Sequence, residues 1–208
     1  MSNTTGISIL EDLTSREMSL FYSVFFTDLS YYNKDCVICK LSDIRENSLL
    51  YFKDNHEFMS VLISLNRKLN NAFSSYQFMI NLNDETIQIN LSKELVLLIM
   101  NELDILKSKK HIKTLMELKC KYAKRLYHLI LKSDEINRCS ISIEYFRESM
   151  GIPNYYKMGN IDQKVLNPAL AELREHLNNL AVEKVKEGRS IVSLQFRWNA
   201  NTINPISF

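Results

Sequence analysis

Amide and basic side chains recur on one side of a predicted helix near the C-terminal end of the chain, IDQKVLNPALAELREHL (161–177). Its apolar residues recur at helical spacing and must face a core. The opposite side, followed to residue 178, carries five polar residues around the small Ala171: Gln163, Lys164, Asn167, Arg174 and Asn178. Lys and Arg pair with guanine edges, Asn and Gln with adenine, and all four types also hold phosphates. The same pattern is typical of a solvent-exposed helix face, so further observations must decide between the two interpretations.

Three neighbouring segments add basic residues around this helix. The preceding turn, IPNYYKMGN, supplies Lys157 and Gly159. The helix predicted over YAKRLYHLI (122–130) collects polar and basic residues opposite its apolar side: Lys121, Lys124, Arg125 and His128. The turn KEGR and the strand before it supply basic residues around a glycine that permits a tight hairpin: Lys184, Lys186, Gly188 and Arg189. This grouping indicates contact with a phosphate backbone.

Pro168 is unusual inside a helix because it removes one backbone hydrogen bond and tends to kink the chain. Alternatively, it marks a fresh helical start with Asn167 as N-cap. The second alternative would place Gln163 and Lys164 on a separate turn.

The elements that hold these residues follow the same order in both halves of the chain. In each half, the sequence predicts in order a helix, a short strand, a short helix, a longer helix and two closing strands. Three pairs of positions are each 103 residues apart: Glu17 and Cys120, Ile38 and Ile141, Phe58 and Ile161. This is the order of a winged helix, a helix-turn-helix with a hairpin wing. The sequence therefore predicts an α+β, mainly helical fold of two tandem winged-helix domains, each with a β-hairpin wing, over residues 1–108 and 109–208.

Composition is that of an ordinary soluble globular protein, and charge is distributed unevenly along the chain. The chain has 208 residues, 46% hydrophobic and 24% charged, as in ordinary globular proteins. Residues 1–111 carry 11 Lys and Arg against 14 Asp and Glu, whereas residues 112–208 carry 15 against 10. A basic C-terminal half hints at a polyanionic partner for that half only. The apolar runs are too short to span a bilayer and no signal peptide is recognised, so we expect a cytoplasmic protein without membrane contact.

Metal, cofactor and enzyme chemistry are not expected. Cys36 and Cys39 form CVIC, but Cys120 and Cys139 do not form the second close pair of a zinc site. The preferred interpretation is a short strand that uses cysteine as a small buried residue. The four histidines show no close pair for a rolling-circle nicking enzyme, and there is no Walker-type phosphate loop. We therefore predict neither a cofactor nor an enzyme.

The C-terminal half resembles the iteron-binding plasmid replication initiators, a family with tandem winged helices. The residues that carry the resemblance occur in order as YAKRLYHLI, ISIEYFRESMGIP, YYKMGNIDQKVLNPALAEL and KEGRSIVSLQF. They match the family's Tyr-Ala-x-Arg-Leu-Tyr helix, its Val-Leu-x-Pro-Ala recognition helix and its Lys-x-Gly-Arg wing. The likeness is strong over residues 112–198 and weaker over 1–111.

The resemblance implies a protein that binds tandem repeats at a plasmid origin as a monomer, and inverted repeats as a dimer that represses its own gene. It also implies a dimer contact in the N-terminal domain and recruitment of host replication proteins. The DNA-binding residues that it indicates are Lys121, Lys124, Arg125, Lys157, Gln163, Lys164, Asn167, Arg174, Lys186 and Arg189. The sequence departs from the family at Asp162, where a basic residue is common, and at Glu187 in the wing. Arg16, Arg67 and Lys68 are further candidates in the acidic N-terminal half.

Two other classes remain open at the level of sequence. A winged-helix transcription regulator also places one helix in a major groove, but such regulators usually carry one winged helix per chain. A pure interaction protein would leave the basic faces solvated. The DNA site, the active oligomeric form, the host partners, the role of the N-terminal domain in DNA binding and the function of Cys36 and Cys39 are not determined by the sequence.

Overall fold

The computed structural model of the chain describes residues 9–10, 12–26, 36–73, 77–106, 109–133 and 137–199. These residues fall into two compact units. Unit 1 contains the described residues up to Asp104 together with Lys109–Glu117, and unit 2 contains Ile105, Leu106 and the described residues from Leu118 onward. Among the described residues, no helix is long and apolar enough to cross a membrane.

In unit 1, a largely buried helix, Ser15–Phe26, is packed among a small sheet and further helices. Its elements are α1 (Ser15–Phe26), β1 (Cys36–Lys40), α2 (Leu41–Asn47), α3 (Asn55–Ala72), β2 (Gln77–Asn81), β3 (Thr86–Asn90), α4 (Lys93–Leu106) and α5 (Lys109–Glu117). The last two residues of α4, Ile105 and Leu106, are assigned to unit 2. The strands are antiparallel in the order β1-β3-β2.

Helix α3 of unit 1 begins at a well-formed cap. The carboxylate of Asp54 accepts a hydrogen bond from the backbone N–H of Glu57 at 2.8 Å, and Glu57 in turn accepts one from the backbone N–H of Lys53 at 2.7 Å. Such paired acceptors satisfy N–H groups that have no partner inside the helix. The buried side of α3 repeats every three or four residues, as an amphipathic helix requires: Phe58, Leu62, Leu65 and Leu69.

Unit 2 repeats the plan of unit 1. Its elements are α6 (Lys121–Lys132), β4 (Arg138–Ser142), α7 (Ile143–Met150), α8 (Met158–Ile161), a π-helical turn (Asp162–Leu166), α9 (Asn167–Leu173), β5 (Ala181–Glu187) and β6 (Ser190–Arg197). Its antiparallel strands have the order β4-β6-β5, which corresponds to that of unit 1. The predicted class, an α+β, mainly helical fold of two tandem winged helices, is thus confirmed.

The alignment of the two units at a constant offset of 103 residues is wrong for the first strands. Ile38 is 59% exposed, whereas Ile141 is 4% exposed. Val37 and Cys139 are both buried, so β1 and β4 correspond at an offset of 102 residues. Because side chains alternate between the faces of a strand, a slip of one residue moves every side chain to the other face.

Helix α5 lies with unit 1. The sequence-based boundary between residues 108 and 109 places this helix in the C-terminal domain. In the structure, the buried hydroxyl of Ser19 in α1 donates to the carbonyl oxygen of Met116 in α5 at 3.2 Å. The linker between the predicted domains contains neither Gly nor Pro that would mark where one unit ends.

Candidate nucleic-acid interface

A turn held by α7 leads into the predicted recognition helix. The backbone N–H of Tyr156 donates to the carbonyl oxygen of Pro153 at 3.0 Å. The guanidinium of Arg147 donates to the carbonyl oxygen of Tyr156 at 2.6 Å. Lys157 is exposed and extended, and its carbonyl oxygen accepts the first hydrogen bonds of α8. The helix-turn-helix geometry therefore begins from a fixed turn.

Residues 158–173, called the recognition segment below, form one continuous helical stretch with a π-helical turn in its middle. The backbone N–H of Asn167 donates to the carbonyl oxygen of Asp162, five residues earlier. Pro168 has no N–H, and in a regular α-helix its ring would clash with the carbonyl group of Lys164. Asn167 has helical dihedral angles, φ −59° and ψ −48°, so it is not an N-cap. The wider turn accommodates Pro168, which lies in the first turn of α9. Gln163 and Lys164 lie on the separate π-helical turn, as the second alternative expected, but Asn167 is not the N-cap.

The outward side of the recognition segment carries predicted DNA-binding residues. Gln163, Lys164 and Asn167 are exposed, and so is Ala171. The ammonium group of Lys164 lies 4.9 Å from the ring centroid of Tyr156, a cation–π contact that keeps Lys164 beside the preceding turn. This side presents one cation and two amides to a binding partner. The small side chain of Ala171 beside them leaves room for close approach.

The wing joins the recognition segment through an ion pair. Lys184 on β5 lies 2.6 Å from the carboxylate of Asp162. The wing turns at Gly188, whose φ of +59° is costly for other residues, and it contains a bulge between Val185 and Lys186. Lys186 and Arg189 are exposed at this turn, as Glu187 is. The Asp162 charge, which departs from the family pattern, is therefore paired with a wing residue.

Two predicted phosphate contacts on α6 lie in the interior of unit 2. Lys124 is 0% exposed and Arg125 is 7% exposed. A guanidinium nitrogen of Arg125 donates to the carbonyl oxygen of Met150 at 2.6 Å, where α7 ends in a left-handed Gly151. A Cβ atom at Gly151 would lie 2.9 Å from this guanidinium. The interpretation of this basic arc as a solvent-facing phosphate surface is therefore corrected for these two residues, because α6 is buried on almost all sides.

Lys124 lies in an environment that disfavours its charge. Burial lowers the pKa of Lys124 to about 7, although the negative charge of Glu172 opposes the shift. Glu172 also accepts hydrogen bonds from the backbone N–H groups of Lys119 and Cys120, at 2.8 and 3.0 Å. A carboxylate on α9 thereby caps the start of α6.

The remaining predicted residues occupy the edges of this surface. Lys121 is exposed at the start of α6, with its ammonium group 4.8 Å from the ring centroid of Tyr122. Partial burial, followed by the charge of Arg125, lowers the pKa of Lys121. Arg174 is exposed just after α9, and its Nε donates to the carbonyl oxygen of Leu180 at 3.3 Å. Arg174 therefore also stabilises the end of the recognition segment.

The corresponding surface of unit 1 is less suited to phosphate. Its wing turn, Leu82–Glu85, is acidic and carries no Lys or Arg. Lys68 on α3 is paired with Glu17 at 2.7 Å, and Arg16 with Glu57. Arg67 is exposed. Within the described residues, no group of three or more His, Cys, Asp or Glu side chains is arranged to hold a metal ion.

Sequence reasoning missed the contacts that orient this surface. A helical wheel assumes one constant period, so it does not detect a π-helical turn, although Pro168 inside a helical pattern was a signal. The roles of Arg147 and Tyr156 depend on a backbone carbonyl and a ring face that no residue pattern reveals. The pairing of Asp162 with Lys184 depends on the strand register of the wing.

A protein-family model and a solved structure both match this chain. Residues 142–198, which run from the last residue of β4 to just after β6, match the family model described as "Initiator Rep protein, WH2". The resemblance of this segment to the replication initiators is confirmed. The whole fold is similar to the crystal structure of Pi initiator protein in complex with iteron DNA, with a TM-score of 0.61 and 16% identity, covering 94% of each chain. A sequence comparison with curated proteins finds no match.

Proposed function

We propose that the protein is a plasmid replication initiator that binds repeated duplex DNA through the winged helix of unit 2. The observation that supports this proposal best is the outward side of the recognition segment, where Gln163, Lys164 and Asn167 are exposed in a unit of the initiator Rep type. Amides and cations at a recognition helix are the groups that read base edges. The structurally similar Pi initiator was crystallised with iteron DNA.

The wing supplies the non-specific part of binding in this proposal. Lys186 and Arg189 are exposed on either side of the wing turn, where they can lie along a phosphate backbone. Lys157 and Lys121 extend this basic surface. Contacts of this kind position a protein on DNA without reading its sequence, and they weaken steeply as salt increases.

Unit 1 is proposed to provide a dimer contact. Its sheet exposes Ile38 and Met79, 59% and 51% accessible, on either side of Gln88 in the strand register. An apolar pair on an exposed sheet face is suited to contact between copies. Sedimentation of the wild type and of an Ile38→Lys/Met79→Lys variant tests this: loss of dimer in the variant supports the contact, and an unchanged dimer rejects it.

The other expectations belong to the same proposal. The protein would act in the cytoplasm, without an enzymatic step or cofactor of its own, and would recruit host replication proteins to the origin. As a dimer bound to an inverted repeat, it would repress its own gene. The duplicated winged-helix plan favours this role over that of a transcription regulator.

A titration at several salt concentrations tests the proposed function. The probes are a duplex selected by the wild-type protein from a random pool, built as two direct repeats or as one inverted repeat, and a scrambled duplex. Stepwise occupancy of direct repeats with a steep loss in salt supports an initiator. Occupancy of the inverted repeat alone favours the regulator, and equal affinity for selected and scrambled duplexes rejects sequence-specific binding.

A further inference from the structure

The recognition segment of unit 2 contains one residue more than the corresponding stretch of unit 1. Phe58 and Ile161, both buried, are 103 residues apart. From Leu166, the last residue of the π-helical turn, the offset becomes 104 residues, since the buried residues Leu62, Leu65 and Leu69 correspond to Leu166, Ala169 and Leu173. The extra residue lies between Ile161 and Leu166, within the π-helical turn (Asp162–Leu166). A π-helical turn is the usual way in which a helix absorbs an added residue, and it is frequent at functional sites.

The added residue widens the outward side of the helix. Between Phe58 and Leu62 in unit 1, Ser60 is exposed, while Met59 and Val61 are half-buried. Between Ile161 and Leu166 in unit 2, two consecutive polar residues, Gln163 and Lys164, are exposed. A regular α-helix advances by about 100° per residue, so it turns neighbouring side chains away from each other more than a π-helical turn does.

Contacts on both sides fix this turn. Asp162 at its start is paired with Lys184 of the wing at 2.6 Å. Lys164 lies over the ring of Tyr156, whose carbonyl oxygen is held by Arg147. Pro168 follows the turn and disfavours its conversion into a regular α-helix. The direction of Gln163 and Lys164 relative to Asn167 is therefore built into the fold.

We propose that the π-helical turn Asp162–Leu166 is a specificity-determining element of the DNA-binding surface. Its extra residue allows Gln163 and Lys164 to meet adjacent base edges in the major groove while Asn167 contacts the next ones. The chemistry of these side chains suits a purine-rich strand, because a lysine pairs with guanine and the two amides with adenine. This inference rests on the proposed function, and it adds that discrimination between sequences depends on the helical register as well as on the side chains.

A deletion with a matched control tests the inference. Deleting Gln163 leaves Ile161 four residues before Leu166, as Phe58 is before Leu62. Pro168 would then lie inside a regular helix, so the deletion alone should lower the melting temperature by roughly 10 °C. Adding Pro168→Ala should restore the melting temperature. The matched control is Gln163→Ala/Pro168→Ala, which loses the same two side chains and keeps the register.

Each variant is titrated with the duplex selected by the wild type and with a scrambled duplex. In the control, the ratio of affinities for the selected and the scrambled duplex should fall about 10-fold, which is the equivalent of one base contact. The deletion with Pro168→Ala should lose about a further 10-fold, with affinity for scrambled DNA unchanged within about 3-fold. Repeating the selection with this variant should enrich a different sequence.

Three outcomes would overturn either this inference or the proposed function. Equal discrimination by the deletion and the control overturns the inference while the proposed function stands. A deletion with Pro168→Ala that does not fold, as judged by circular dichroism, also overturns it, because the register argument requires the shortened helix to fit the same core. A wild type that does not discriminate between duplexes rejects the proposed function itself.

Discussion

Replacing Lys124 with methionine tests whether α6 uses this cation for DNA or conceals it in the core. Lys124 is fully buried, and burial lowers its pKa from an ordinary 10.5 to about 7. At 1.36 kcal/mol per pKa unit, this difference corresponds to about 5 kcal/mol of penalty on the charged form in the native state. Methionine has a similar length and carries no charge, although it makes none of the polar contacts of lysine.

We therefore expect Lys124→Met to raise the free energy of unfolding by about 1–4 kcal/mol at pH 6, in line with other replacements of buried charges by apolar residues. The native pKa lies below the unfolded one, so the stability linked to this group is fully present only above about pH 10.5 and is lost as the pH falls toward 7. The advantage of Lys124→Met should accordingly shrink by about 1.4 kcal/mol per pH unit as the pH rises above 7.

Urea unfolding followed by circular dichroism between pH 6 and pH 9 measures this effect. The matched control is Lys121→Met, which changes an exposed lysine on the same helix and should leave the free energy of unfolding nearly constant. A second readout is DNA binding: Lys124→Met should leave the salt dependence of affinity unchanged. A less stable Lys124→Met variant, or one whose salt slope falls by about 1, would refute the burial argument.

Three further changes have distinct expected outcomes. Gly151→Ala should destabilise the protein by about 1–3 kcal/mol in thermal unfolding, because φ is +60° there and the added methyl would meet Arg125; an unchanged melting temperature would contradict this. Lys186→Ala should weaken binding to selected and scrambled duplexes equally and reduce the salt slope by about 1, whereas a loss confined to the selected duplex would indicate base contact. Asp162→Asn should weaken specific binding about 3- to 10-fold by releasing the wing, as for a 1 kcal/mol contact; stronger binding at every salt concentration would show instead that the carboxylate repels DNA.

The architecture could be predicted because local patterns determine it. The strand RCSIS, the glycine of the wing turn and the periodic apolar residues of residues 56–73 each favour one local structure, and the structure contains β4, the β5–β6 hairpin and α3 at these places. The order of these elements is that of a winged helix, which is why the fold class was recoverable without an alignment.

The outward direction of side chains was less predictable. Lys124 and Arg125 stand opposite the apolar residues of α6, and a helical wheel indicates solvent there. In the structure this side faces other parts of unit 2, so that α9 brings Glu172 near Lys124 and α7 offers the Met150 carbonyl to Arg125. Burial on a second side of a helix depends on tertiary packing, which a single helix does not encode.

In its proposed role, the π-helical turn separates the sequence preference of DNA binding from the stability of the core, two properties that substitutions usually change together. The buried residues Leu170, Leu173 and Leu177, and the exposed wing residues Lys186 and Arg189, all lie outside Asp162–Leu166. Under the proposed function, a one-residue deletion within the turn, together with replacement of Pro168, would change which DNA sequence is preferred while the core and the basic wing persist.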